Sequence, residues 1–227
     1  NIMGFYRGPN IVTDGLVFAV DAGSERSYPG SGTTTTNIIN GASGTLTNGV
    51  AYVTNNGGAF DFDGTDDFIA FPDDTNLNNQ TLTMESWVNM HSTLSQDAFF
   101  FEKGFVNTQY STFTNANNLI FRTIGLSTQD LSVNMLSYTA ANTWFYVACT
   151  YGAAVKYVYI NGTRIASSTV LTGTIPSNTT GLFLGAYGPG NSYQMDGNIA
   201  VSRVYNKALT AAEVLQNFNA QKSRFGL

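Results

Sequence analysis

Val155-Lys-Tyr-Val-Tyr-Ile160 runs into Asn161-Gly162 and out again through Thr163-Arg-Ile-Ala-Ser167. Two β-prone runs separated by Asn-Gly read as a hairpin. Asn and Gly supply the two positive-φ residues of a type I′ turn, whose twist matches that of the flanking strands. Residues 144–151 form a preceding run that would pair with this hairpin as a meander. Residues 81–90 alternate with period two, Leu82, Met84, Ser86 and Val88 on one face and Thr83, Glu85, Trp87 and Asn89 on the other.

Further short strands are expected over residues 15–21, 59–62, 68–71, 98–102, 111–114, 118–123, 131–137, 182–185 and 197–205, with an acidic loop, Asp63-Gly-Thr-Asp-Asp67, between the second and third. Residues 22–44, rich in Gly, Ser and Thr and containing Tyr28-Pro29-Gly30, read as a loop. Helix is expected once. Thr210-Ala-Ala-Glu213 is a capping box, Leu209 and Val214 stand at hydrophobic-staple positions, and Val214, Leu215 and Phe218 give an apolar face. A short helix over about residues 211–219, packed on the sandwich edge, follows from that spacing.

Composition agrees. Only 11% of the 227 residues are charged, against about 25% in ordinary domains. Polarity comes instead from Ser, Thr and Asn, which suit strands and turns better than exposed helices. Net charge is −5 and the cations are scattered, which argues against binding nucleic acid through phosphate contacts. One cysteine, Cys149, excludes an internal disulfide and a multi-cysteine zinc site, and one histidine, His91, leaves little for a His-rich centre. No apolar run is long enough to span a membrane, and the first residues lack a signal-peptide layout. Asn1 in place of Met reads as a trimmed or processed start. The expected organisation is an N-terminal arm (1–14), one domain (15–220) and a C-terminal tail (221–227).

The chain resembles the concanavalin A-like, laminin-G-like jelly-roll superfamily. The resemblance rests on Gly15-Leu-Val-Phe-Ala-Val-Asp21, Phe62-Asp-Gly-Thr-Asp-Asp67, Leu82-Thr-Met-Glu-Ser-Trp-Val88, Trp144-Phe-Tyr-Val-Ala148, Tyr157-Val-Tyr-Ile-Asn-Gly162, Asp196-Gly-Asn-Ile-Ala-Val-Ser-Arg-Val-Tyr205 and Ala208-Leu-Thr-Ala-Ala-Glu-Val214, in that order. It implies an all-β fold, a two-sheet antiparallel β-sandwich with one short C-terminal helix. The two ends, Tyr6-Arg-Gly-Pro-Asn-Ile-Val12 and Asn217-Phe-Asn-Ala-Gln-Lys-Ser-Arg-Phe-Gly-Leu227, are similar to jelly-roll proteins among the virion genes of tailed bacteriophages. Many relatives carry a Trp and a Gly-Asn-Gly-Asn stretch after the Gly/Ser/Thr loop; residues 33–39 have neither.

Candidate sites follow. Asp61, Asp63, Asp66, Asp67, Asp73 and Asp74 crowd a short segment, but position twelve of an EF-hand beginning at Asp61 is Pro72, so the loop reads first as a turn with Asp63 and Asp66 bonding nearby amides and Gly64 at positive φ. No cofactor is required. The resemblance suggests a structural Ca²⁺ near the N-terminal strand, with Asp196 and Asp21 as ligands. Laminarinase-like hydrolysis needs a pair of carboxyl groups about 5–5.5 Å apart. The four glutamates, Glu25, Glu85, Glu102 and Glu213, are isolated, and no nucleophile elbow or phosphate loop accompanies His91 or Cys149. Cys149 reads as a core residue. Sequons at Asn79, Asn161 and Asn178 follow by chance from so much Asn and Thr. Lectin sites stack sugars on exposed rings, which singles out the loop aromatics Tyr28, Phe105, Tyr110, Tyr187 and Tyr193. Arg7, Pro9 and Asn10 in the arm and Lys222, Arg224 and Phe225 in the tail are the expected protein–protein attachment residues.

The expected function is a non-enzymatic virion protein on the outer surface of a phage particle, foremost a capsid decoration protein. A tail or fibre adhesin that binds host-surface glycans is the alternative, and a laminarinase-like hydrolase the third reading. Partners would be other capsid or tail proteins, a host glycan, and further copies of the chain, with no nucleic acid and no membrane insertion.

Overall fold

A computed structural model describes residues 9–105, 108–189 and 193–227. Sixteen strands are described: β1 (Leu16–Asp21), β2 (Thr34–Thr36), β3 (Ser43–Thr47), β4 (Ala51–Val53), β5 (Ala59–Asp63), β6 (Phe68–Phe71), β7 (Leu82–Met90), β8 (Ala98–Lys103), β9 (Tyr110–Asn115), β10 (Asn118–Thr123), β11 (Asp130–Asn134), β12 (Phe145–Gly152), β13 (Val155–Ile160), β14 (Thr163–Ser167), β15 (Leu182–Leu184) and β16 (Asp196–Tyr205). One helix, α1 (Ala211–Gln221), follows. The first sheet runs β14-β13-β12-β7-β16-β5-β4, with β1 also on β16, and the second runs β11-β10-β9-β8-β15-β6-β3-β2.

The hairpin forms as its sequence demands. Asn161 and Gly162 have φ of 51° and 76°, and β13 and β14 pair across them. Strands β2, β3 and β4 were not expected: they are three to five residues long, with no alternating apolar set to betray them, and β2 and the start of β3 lie inside the segment read as a loop. Between the sheets Phe18, Phe60, Phe62, Phe100, Phe101, Phe121 and Phe145 form the main core. Cys149 is buried there, and burial pushes its thiol far above the ordinary range.

The expected alternation of β7 is real, yet both of its faces are buried. Trp87 points to the outer side of the first sheet, where Phe218 stacks on it at 5.8 Å and Phe225 at 4.1 Å between ring centroids. Helix α1 therefore covers the middle of this sheet, over β7, instead of its edge. Its capping box is complete: Glu213 N–H donates to Thr210 Oγ1 and Thr210 N–H to Glu213 Oε2.

The outward Glu85 anchors a buried network under the helix. Arg203 Nη1 donates to its Oε1 at 2.6 Å, and Tyr146 Oη and Asn217 Nδ2 donate to its Oε2 at 2.5 and 2.9 Å. Asn217 Oδ1 accepts Val12 N–H at 2.7 Å, so the arm is tied to the same network.

This packing corrects the expected attachment role of the tail segment. Phe225 is buried, and Arg224 donates to the carbonyls of Asn56 and Gly58 and to Asp21 Oδ1. Lys222 is half-buried, with its ammonium 5.6 Å from the Phe218 ring. The tail is thus part of the fold, because its one aromatic side chain, Phe225, finds a Trp to cover. Pro9 and Asn10 are exposed, though the Asn10 carbonyl accepts from Gln216 Nε2. Arg7 lies outside the described residues.

Candidate functional site: an aromatic groove on the second sheet

Among the described residues no helix covers the outer face of the second sheet, and its cross-strand register builds the site. Side chains opposite one another in neighbouring strands share a face. Phe183, Glu102, Ser111, Arg122 and Asp130 follow in register across β15, β8, β9, β10 and β11. Beside this row, Phe99 stands opposite Phe113. Three consecutive phenylalanines cannot all face the core of a regular strand. A β-bulge between Phe99 and Phe101 resolves this by sending Phe100 and Phe101 inward and Phe99 outward.

Phe99 and Phe113 stack with centroids 4.4 Å apart and planes within 5°. Tyr187 leans on Phe99 at 5.1 Å and Tyr193 at 6.0 Å. Phe105 meets Tyr187 edge-on at 5.4 Å. Gly188 lies under the Phe105 ring, where a Cβ would come within 2.1 Å of it, and its φ is +65°. Tyr193 is 52% exposed and sits at φ 59°, a left-handed conformation that costs a non-glycine residue about 1–2 kcal/mol. Strain of this kind collects at ligand-contacting positions.

A cavity of about 360 Å³ opens among Asp97, Phe99, Phe113, Asn115, Tyr187 and Tyr193. Arg122 and Tyr187 also line a second cavity of about 660 Å³, bounded by Thr108 and by the hydroxyl-rich residues 177–180. The Arg122 guanidinium lies 4.8 Å from the Phe113 ring and grips Asp130 with two hydrogen bonds of 2.8 and 2.6 Å, which raise its pKa further. Asn115 Nδ2 donates to Asp97 Oδ1 at 2.8 Å. The site therefore offers ring faces for C–H groups and amide, carboxylate and hydroxyl groups for polar ones, as small-ligand sites do.

Beneath the groove lies Glu102, fully buried. Its Oε1 accepts from Thr108 Oγ1 at 2.7 Å, while its Oε2 has no partner among the described residues. Burial pushes its pKa up to about 8, against the lowering pull of Thr108, Ser111 and Arg122. Burial thus favours its protonated form, and the carboxyl is not exposed to the groove.

Three expected sugar-stacking residues, Phe105, Tyr187 and Tyr193, thus come together. Tyr28 and Tyr110 do not. Tyr28 is buried against Tyr52 and Phe60, with its hydroxyl donating to the Gly32 carbonyl. Tyr110 opens β9, faces the core and donates to the Leu77 carbonyl. Sequence reading missed Asp97, Phe99, Phe113, Asn115 and Arg122; the Phe99-Phe100-Phe101 run was the one available signal.

The expected Ca²⁺ pair is also corrected. Asp21 pairs with Val201, five residues along β16 from Asp196, which is about 16 Å at strand rise. Asp21 is bound to Arg224, while Asp196 accepts from Ser92 Oγ and meets His91 Nδ1 at 3.2 Å. They do not fit one cation. Asp63, Asp66 and Asp67 do bring carboxylate oxygens within 4.8 Å of one another. Hydrogen bonds close that loop: Asp63 Oδ1 accepts Thr65 N–H, Asp67 Oδ2 accepts Asp63 N–H, and Gly64 has φ 74°. Asp67, rather than Asp66, makes the second of the expected amide contacts.

Two antiparallel sheets with an open, aromatic outer face define a lectin-like β-sandwich. The sequence profile of the concanavalin A-like lectin/glucanases superfamily matches residues 63–215, and the chain belongs to that superfamily. No protein of curated function matches the sequence. Among solved structures, the binding domain of Paraclostridial Mosquitocidal Protein 1 superposes with a TM-score of 0.70 at 16% identity, over 91% of this chain and 52% of that one. Trypanosoma rangeli sialidase in complex with sialic acid gives 0.72 at 14%, over 96% and 35%. The botulinum neurotoxin serotype D binding domain gives 0.71 at 14%, over 92% and 51%. The chain spans about a third to a half of these neighbours. At such identities they share its fold.

Proposed function

We propose that the domain is a non-enzymatic glycan-binding module, carried on the outer surface of a bacteriophage particle and used to attach to host-surface glycans. The observation that carries this reading is the exposed, strained Tyr193 over the Phe99–Phe113 stack, beside the Asp97–Asn115 pair. Pyranose rings present C–H faces to aromatic rings and hydroxyls to such polar pairs. Two binding domains among the structural neighbours support a binding role. A non-catalytic role is supported by Glu102, whose buried carboxyl has Thr108 and Ser111 as neighbours and, among the described residues, no partnering carboxylate. Asp97 and Asp130 are held by Asn115 and Arg122.

The virion setting rests on the similarity of the two ends to phage structural proteins. Within it, the groove favours adhesion over capsid decoration, since the tail residues that would attach to a capsid are folded against Trp87. Binding needs no metal on this reading. The test is a glycan array probed in Ca²⁺ and again in chelator, with immunogold labelling of the phage that encodes the chain. Matching hits in both buffers and gold on tails or fibres are expected. No hit, with gold spread over the heads, would return the decoration role to first place.

A further inference from the structure

Every charge that borders the groove has an assigned partner or sign. Arg122 is held in two hydrogen bonds by Asp130, so the pair presents no net charge to a ligand. Lys103, behind the rim formed by residues 177–180, is fully buried and bound to Asp73, to Asn178 Oδ1 and to the Thr180 carbonyl. That leaves Asp97, half-exposed and, among the described residues, bonded to the neutral Asn115 amide. The groove thus faces a ligand with a net negative sign, inside a chain of net charge −5. An anionic sugar seated on Tyr193 would stand within a few ångströms of the Asp97 carboxylate, in a partly desolvated site where like charges repel more strongly than in water.

The two cavities also differ in character. The smaller is lined mainly by aromatic rings with Asp97 and Asn115, the larger by the hydroxyl and amide groups of Thr108 and residues 177–180 together with Ile124 and Pro176, and Tyr187 and Arg122 belong to both. One sugar on the aromatic part leaves the polar part to a neighbour in the same chain.

We infer that the groove selects uncharged oligosaccharides of at least two residues and discriminates against sialylated or uronate-containing ones, with Asp97 as the discriminating residue. This rests on the glycan-binding reading and adds the ligand class to it.

The test compares neutral oligosaccharides with the same glycans extended by sialic acid or carrying a uronate, first on an array and then by calorimetry with the best neutral hit. At least tenfold preference for the neutral member of each pair is expected. Trimming the best hit to its terminal sugar should weaken binding tenfold or more. Asp97→Asn keeps the acceptor for Asn115 and should narrow the neutral-to-acidic ratio to about threefold or less. Equal or tighter binding of the acidic glycans, or a ratio unchanged in Asp97→Asn, overturns the inference and leaves glycan binding standing. Silence from every glycan, from a folded protein, removes both.

Discussion

The ring of Phe225, two residues before the last residue, lies face to face with Trp87 in the middle strand of the first sheet, 4.1 Å between centroids and 16° between planes. Trp144 meets the same ring at 4.9 Å. An end that reads as an arm is therefore the lid of a second, smaller core.

Phe225→Ala should lower stability by about 3 kcal/mol, the low end for truncating a buried Phe. Urea denaturation of the isolated domain measures this. If the tail were a free attachment arm, the midpoint would not move.

Under that lid, Arg203→Met should cost about 3–5 kcal/mol, because Glu85 would keep a buried charge without its cation. Adding Glu85→Gln should restore much of the loss. A double-mutant cycle by denaturation would expose additivity instead, if the two residues acted independently.

Glu102 makes stability fall as pH rises. Its folded pKa, about 8, lies above the unfolded value of 4.5, so the folded state binds the extra proton and its advantage is lost progressively between those values. The expected loss from pH 5 to pH 8 is on the order of 3 kcal/mol. Lys156, lowered to about 8 by burial, acts in a separate window, adding stability only as pH rises above 8. In Glu102→Gln the fall below pH 8 should flatten; melting curves at pH 5, 6.5 and 8 that fall as steeply as in the native protein would contradict the assignment.

Tyr193→Ala should abolish measurable glycan binding, a loss of tenfold or more, while stability changes by less than about 0.5 kcal/mol. Tyr193→Gly should lose binding equally and hold or raise stability, since glycine adopts a φ of 59° without strain. Calorimetry paired with thermal melts separates a ligand contact from a structural one.

The pairing of Phe99 on β8 with Phe113 on β9, and of β9 with Arg122 on β10, explains why half of the groove escaped sequence reading. These residues come from three strands, and nothing local says which strands are neighbours. Phe105, Tyr187 and Tyr193 were legible because loop aromatics in Gly-, Asn- and Ser-rich surroundings stand out. Tyr28 and Tyr110 stand in similar surroundings and were misassigned, because burial is a property of what packs over a residue.

The sequence alone determined what depends on a few adjacent residues: the Asn161-Gly162 hairpin, the Thr210–Glu213 cap, the alternation of β7 and the all-β class. Those are set by φ preferences and short-range hydrogen bonds. Tertiary structure alone decided that both faces of β7 are covered, that Phe99 leaves the core through a bulge, and that Asp21 belongs to Arg224 rather than to Asp196. Each depends on strand order and register, which are fixed by the packing of the two sheets as a whole.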